Sequence, residues 1–71
     1  MDDKLKQIII DLKDAHKSLQ ESKKDVDFYS FAERRFIGFL RALAVALQDE
    51  PLNINELKVG KKILDYYIRK L

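Results

Sequence analysis

The chain of 71 residues contains no cysteine, no tryptophan, one histidine, one proline and two glycines. Without cysteine no disulfide can form, and a single histidine, His16, cannot complete the common ligand sets of structural zinc. We therefore expect no metal, no cofactor and no covalent cross-link. The first residues also lack the basic segment, apolar run and cleavage site of a secretory signal, so we expect a cytoplasmic protein.

The scarcity of proline and glycine leaves few interruptions for a helix, and apolar residues recur with a period near 3.6 rather than 2. A hydrophobic content of 46% is typical of a globular chain and too high for a disordered one. The length leaves room for one small domain, residues 1–71. We predict an all-α three-helix bundle that self-associates, with helices at about 3–22, 31–48 and 55–70.

The helix limits follow from local signals. The first helix carries an apolar stripe of Leu5, Ile8, Leu12, Ala15 and Leu19, and the charged run ESKKDVD after it indicates a connection. Ser30 followed three residues later by Glu33 has the spacing of a capping box, which predicts that the second helix begins at residue 31. Either Asn53 or Asn55, followed by Glu56, predicts the start of the third helix.

The one long hydrophobic run, FIGFLRALAVAL, covers residues 36–47 and contains ten apolar residues and one charge, Arg41. A membrane helix needs about 20 apolar residues, and this run is bounded by charged residues on both sides. We therefore expect no membrane span. On a helical wheel its phenylalanine, leucine and isoleucine side chains fill a wide arc, which indicates the central helix of the bundle.

Small residues in this helix, Gly38, Ala42 and Ala46, recur at every fourth position and would leave a shallow groove for another helix. Packing of the first or third helix there, or alanine's preference for helices, explains the same pattern. The third helix also has more apolar surface than two neighbours can cover, which suggests a binding surface. The predicted interface consists of Gly38, Ala42, Ala46, Val59, Ile63 and Tyr66.

The charge is unevenly divided along the chain. Residues 1–27 contain six lysines and seven acidic residues, and residues 28–71 contain eight basic and five acidic residues. Lys58, Lys61, Lys62 and Arg69 lie on or beside one stripe of the third helix, where they could bind phosphates or another anion. Asp65 interrupts the stripe, however, and no set of arginine, asparagine and glutamine side chains is placed to contact the edges of nucleic-acid bases. The predicted connection before this helix is also longer than a helix-turn-helix turn. A solvated face is the alternative.

No residues are spaced as a catalytic set or as a glycine-rich phosphate loop, so we do not expect an enzyme. The sequence predicts a non-enzymatic, homodimeric helical module for protein–protein interaction, acting as a small accessory or regulatory factor. Its partner would be another protein or a second copy. Binding of nucleic acid or an anionic surface is the first alternative. A second alternative, a bacteriocin-immunity-type binding protein, rests on fold class alone.

Overall fold

The computed structural model of the protein describes residues 3–71 and contains three α-helices. The helices are α1 (Asp3–Glu21), α2 (Val26–Asp49) and α3 (Ile54–Ile68). Two connections of four residues each, 22–25 and 50–53, join them, and no strand occurs between residues 3 and 71. The all-α three-helix bundle predicted from the sequence is confirmed. The molecule measures 40 × 19 × 15 Å, and its length is close to the ~36 Å expected for α2 alone.

The start of α2 differs from the prediction. The helix begins at Val26, and the N-cap is Asp25, whose carboxylate accepts a 3.2 Å hydrogen bond from the Phe28 amide. The Tyr29 amide already donates to the Asp25 carbonyl at 2.8 Å, so helical hydrogen bonding is established before Ser30. Aspartate is among the best N-cap residues. The chain therefore uses the earlier cap, and the predicted capping box at Ser30 and Glu33 is wrong.

The start of α3 follows the sequence signal. The Asn53 side chain accepts a 2.9 Å hydrogen bond from the Glu56 amide, and the Glu56 carboxylate accepts a 3.2 Å bond from the Asn53 amide. This reciprocal pair selects Asn53 over Asn55 as the cap and leaves α3 one residue longer at its start than predicted. The helix ends at Ile68, so Arg69 lies at its C-cap instead of inside the last turn.

Most of the core lies between α1 and α2. The buried side chains of these two helices are Leu5, Ile9, Leu12, Ala15, Leu19, Ala32, Phe36, Leu40, Leu43 and Ala46. In α3 only Gly60 and Tyr67 are buried. The molecule is thus an α1–α2 hairpin on which α3 is docked.

The two glycines have different surroundings. Gly60 of α3 faces Leu47 of α2, and a β-carbon at Gly60 would overlap a methyl group of Leu47. The absence of a side chain at Gly60 therefore lets α3 lie close to α2. Gly38 of α2 has no heavy atom within 4 Å of the position where its β-carbon would lie. Its missing side chain leaves open space.

The hydrophobic run of α2 lies in the centre of the bundle. Phe36, Leu40 and Leu43 are buried against the neighbouring helices. Within residues 3–71, no helix is both long enough and apolar enough to cross a membrane.

Candidate interaction groove between α1 and α2

One flank of α2 faces away from α3. Leu47 marks the side of α2 that contacts α3, and Gly38, nine residues earlier, lies about 180° away around the helix. Phe31 and Val45 lie about 160° from Leu47 by the same spacing. We call Phe31, Gly38, Ala42 and Val45 the outer flank of α2. This flank borders α1 and is not covered by α3.

A groove of about 410 Å³ lies between α1 and the outer flank. Ala46 is buried within the chain and Ala42 is half-buried, while Gly38 is exposed. Ile8 of α1 is half-buried on the other side of the groove. The small residues identified from the sequence therefore line a groove, of which Ala46 is already buried within the chain. Four charged residues line the same groove: Lys4, Arg41, Asp49 and Glu50.

Two ion pairs join α1 to α2 and its C-cap, and one of them, Lys4 with Glu50, lies at this groove. Lys4 Nζ lies 2.7 Å from Glu50 Oε1, and Arg35 Nη2 lies 3.0 Å from Asp14 Oδ2. Each pair joins an exposed side chain to a half-buried one at the surface, so each contributes only up to about 1 kcal/mol. The Arg35 guanidinium also lies 5.6 Å from the centre of the Phe39 ring. The pairs hold α1 beside α2 and place charges at the borders of an apolar surface.

Sequence reasoning missed two exposed aromatic residues. Phe28 and Phe31 are 66% and 70% exposed, and they line a depression of about 260 Å³ with Ser18 and Ser22 near the end of α1. The missed signal was the N-cap at Asp25: a helix that starts there carries both phenylalanines on its first turns. They extend the apolar surface of α2 beyond the small residues.

The predicted interface residues on α3 lie elsewhere. Val59 and Tyr66 are exposed, and Ile63 is partly buried against the core. Tyr66 lines a depression formed by α3 and the residues that follow it, separate from the groove that contains Gly38. The structure therefore does not join the α2 and α3 halves of the predicted interface in one groove.

The basic residues of α3 are exposed, as expected for a solvent-facing helix. Two of them, Lys62 and Arg69, line a depression of about 540 Å³ together with Asp65, Tyr66 and Lys70. The Lys70 ammonium lies 4.8 Å from the centre of the Tyr66 ring. The other two members of the predicted anion site, Lys58 and Lys61, are exposed on the same helix.

The connection between α2 and α3 has four residues, so the prediction of a longer connection is wrong. Its length is compatible with a helix-turn-helix turn of three or four residues. The presence of Asp65 within the depression still weakens an anion site.

His16 joins the three helices. Its ring centre lies 5.4 Å from that of Phe36 on α2 and 5.2 Å from that of Tyr67 on α3. Burial lowers the pKa of His16 below its usual value of 6.5, and the nearby charges of Lys70 and Lys23 lower it further. Burial also raises the pKa of Tyr67 above 10.0. This cluster holds α3 on the α1–α2 hairpin.

We expect the stability of the protein to fall as the pH decreases below 6.5, because the folded state opposes protonation of His16. A lowered folded-state pKa stabilises the protein above the unfolded-state pKa, and this contribution is lost as the pH falls through the folded-state value. Urea unfolding of the native protein and of His16→Gln, at several pH values between about 7.5 and 5.5, measures this loss of stability. A difference in stability between the two proteins that does not change with pH would contradict the expectation.

Comparisons of the chain with protein-family models, curated proteins and solved structures find no significant match. The fold and groove describe a class: a small helical protein with an α1–α2 hairpin whose outer side is not covered by its own third helix. Its function has to be inferred from that geometry.

Proposed function

We propose that the protein is a non-enzymatic helical interaction module that forms a homodimer through the outer flank of α2. The observation that supports this most directly is the exposure of large apolar side chains on that flank. Phe31 is 70% exposed and Val45 is 54% exposed, on the side of α2 opposite α3. An apolar surface that the chain does not cover itself is typical of a binding site.

The shape of the surface suits a helix. The outer flank and α1 form two ridges with the groove between them, and helices pack by placing side-chain ridges into such grooves. A further helix packed in this groove would give an arrangement like that of a four-helix bundle. Gly38 in the middle of the flank permits close approach of the two backbones.

A second copy of the chain is the occupant we propose. The outer flank is itself an exposed helix surface with apolar side chains, so it can serve both as ridge and as groove. A twofold axis would then use the same patch on both copies, which is the commonest arrangement of soluble homodimers. Burying a side chain such as Phe31 or Val45 contributes about 1.5–3 kcal/mol, and association itself has a cost of several kcal/mol. We expect a reversible dimer.

Analytical ultracentrifugation from micromolar to millimolar concentration tests this proposal. The native chain should approach the mass of a dimer. Gly38→Leu should keep its fold, because the position faces open space, but should raise the dissociation constant at least about tenfold by holding the helices apart.

Gln48→Leu is the matched control, since it adds the same side chain at an exposed position of α2 about 80° around the helix from Gly38. It should leave the dissociation constant unchanged. A native chain that remains monomeric at every concentration would contradict the proposal.

A further inference from the structure

We infer that α3 is a pH-sensitive element of the fold: acid releases it from the α1–α2 hairpin when His16 gains a proton, and this exposes the side of α2 that contacts Gly60. The inference is carried by the position of the His16 ring at the junction of the three helices and by the charges around it. It depends on neither the outer flank nor the proposed dimer.

The contact of α3 with the hairpin is small, and His16 is part of it. Tyr67 is the only large side chain of α3 that is fully buried, and its ring centre lies 5.2 Å from that of His16 and 6.0 Å from that of Phe36. The ring centres of His16 and Phe36 are 5.4 Å apart, so the three rings form one cluster with a member from each helix. A charge on His16 therefore acts directly on the residue that holds α3.

Two cations near the His16 ring belong to backbone turns at the same end of the bundle. Lys23 lies in the hydrogen-bonded connection 22–25 between α1 and α2. Lys70 follows α3, and its amide donates a 3.0 Å hydrogen bond to the Tyr67 carbonyl. Burial of the ring lowers the pKa of His16 most, and the positive charges of Lys70 and Lys23 lower it further. A proton on His16 is therefore disfavoured while α3 is docked.

In the part of the chain that the structure describes, no carboxylate pairs with the His16 ring. Glu33 of α2, one turn from Phe36, is half-buried and forms no ion pair with the ring. On α1 the charged residue one turn away is Lys13, a further cation. On α3 the titratable group is Tyr67, whose pKa is raised by burial, so it stays neutral where histidine titrates. The groups around the ring therefore favour its neutral form.

Release of α3 is linked to proton binding by His16. When α3 is docked, the pKa of His16 lies below 6.5, and when α3 is released the ring loses Tyr67 and Lys70, so its pKa returns toward 6.5. The released state therefore binds the proton more tightly. Its population rises as the pH falls through 6.5 and levels off below the docked-state pKa. Helices held by few buried side chains open before the rest of a protein, and α3 is the helix held in that way.

Native-state hydrogen exchange at several pH values between about 7.5 and 5.5 tests the inference. The rates are expressed as protection factors, which remove the intrinsic pH dependence of amide exchange. Protection of the α3 amides should fall several-fold as the pH decreases, while the core amides of α1 and α2 keep theirs. His16→Gln should remove this dependence on pH, because the glutamine side chain does not titrate.

A second variant leaves the ring cluster intact. Lys70→Met removes one of the two cations at an exposed position, so protonation of His16 is opposed less and the pH response of α3 should become smaller. Lys61→Met is the matched control, because Lys61 is exposed on α3 and is not among the charges that lower the pKa of His16. It should leave the pH response of α3 unchanged.

Three results would overturn the inference. One is α3 protection that stays constant between the two ends of the pH range. Another is an equal loss of protection in all three helices, which would mean that acid destabilises the whole bundle and not the docking of α3. The third is a rise of α3 protection at low pH, as attraction between a charged imidazole and the aromatic rings would produce. The mass measured in the ultracentrifuge bears on the proposed dimer alone.

Discussion

Replacing Phe36 by alanine is expected to lower the free energy of unfolding by about 3–5 kcal/mol. Phe36 is fully buried in the middle of α2, and its ring lies beside His16 of α1 and Tyr67 of α3. Its removal leaves a cavity where all three helices meet. A domain of this size has only about 3–5 kcal/mol of stability from its core, so the variant should be largely unfolded at room temperature.

Phe28→Ala provides the matched control, since it removes the same side chain from the same helix at a position that is 66% exposed. Its effect on the free energy of unfolding should stay within about 0.5 kcal/mol. Urea titration followed by circular dichroism compares the two variants with the native chain. Equal losses of stability in both would show that the core does not centre on Phe36.

Replacing Tyr67 by alanine is expected to release α3 from the α1–α2 hairpin. Tyr67 is the only large side chain of α3 that is fully buried; Gly60 lies against Leu47, and Ile63 and Leu64 are only partly buried against the core. Loss of a buried aromatic side chain costs about 3–5 kcal/mol, and the contacts of α3 that remain are made by partly buried side chains and by Gly60. Native-state hydrogen exchange should show α3 amides exchanging faster.

The neighbouring residue provides the control for this change. Tyr66 is 55% exposed, and Tyr66→Ala should leave the protection of α3 nearly unchanged. Because α1 and α2 share most of the core, their amides should keep more protection than those of α3 in the Tyr67→Ala chain. Uniform loss of protection in all three helices would contradict a separately docked α3.

Much of the fold could be predicted from local sequence. The apolar period placed three helices, and the reciprocal hydrogen bonds of Asn53 and Glu56 mark the start of α3 as their spacing indicated. At α2 two capping signals competed. Ser30 and Glu33 had the complete capping-box spacing, but Asp25 precedes them, and residues 26–30 then join a helix that is already hydrogen-bonded.

The candidate groove could be predicted only in part. Spacing alone placed Gly38, Ala42 and Ala46 on one face of α2, because their angles around a helix follow from their numbers. Which of them another helix of the same chain covers depends on where α1 docks. Ala46 is buried in the core, whereas a β-carbon at Gly38 would have no heavy atom within 4 Å.

The sequence by itself determined that this protein is helical and made of three segments, since composition, capping and apolar period act within a few residues of chain. Only the tertiary structure decided that α3 docks through Gly60 and Tyr67 on one side of α2, and that Phe31 and Val45 remain exposed on the other. The physical reason is that an apolar face has the same pattern whether its own chain covers it or not. Docking of the other helices decides which face remains for a partner.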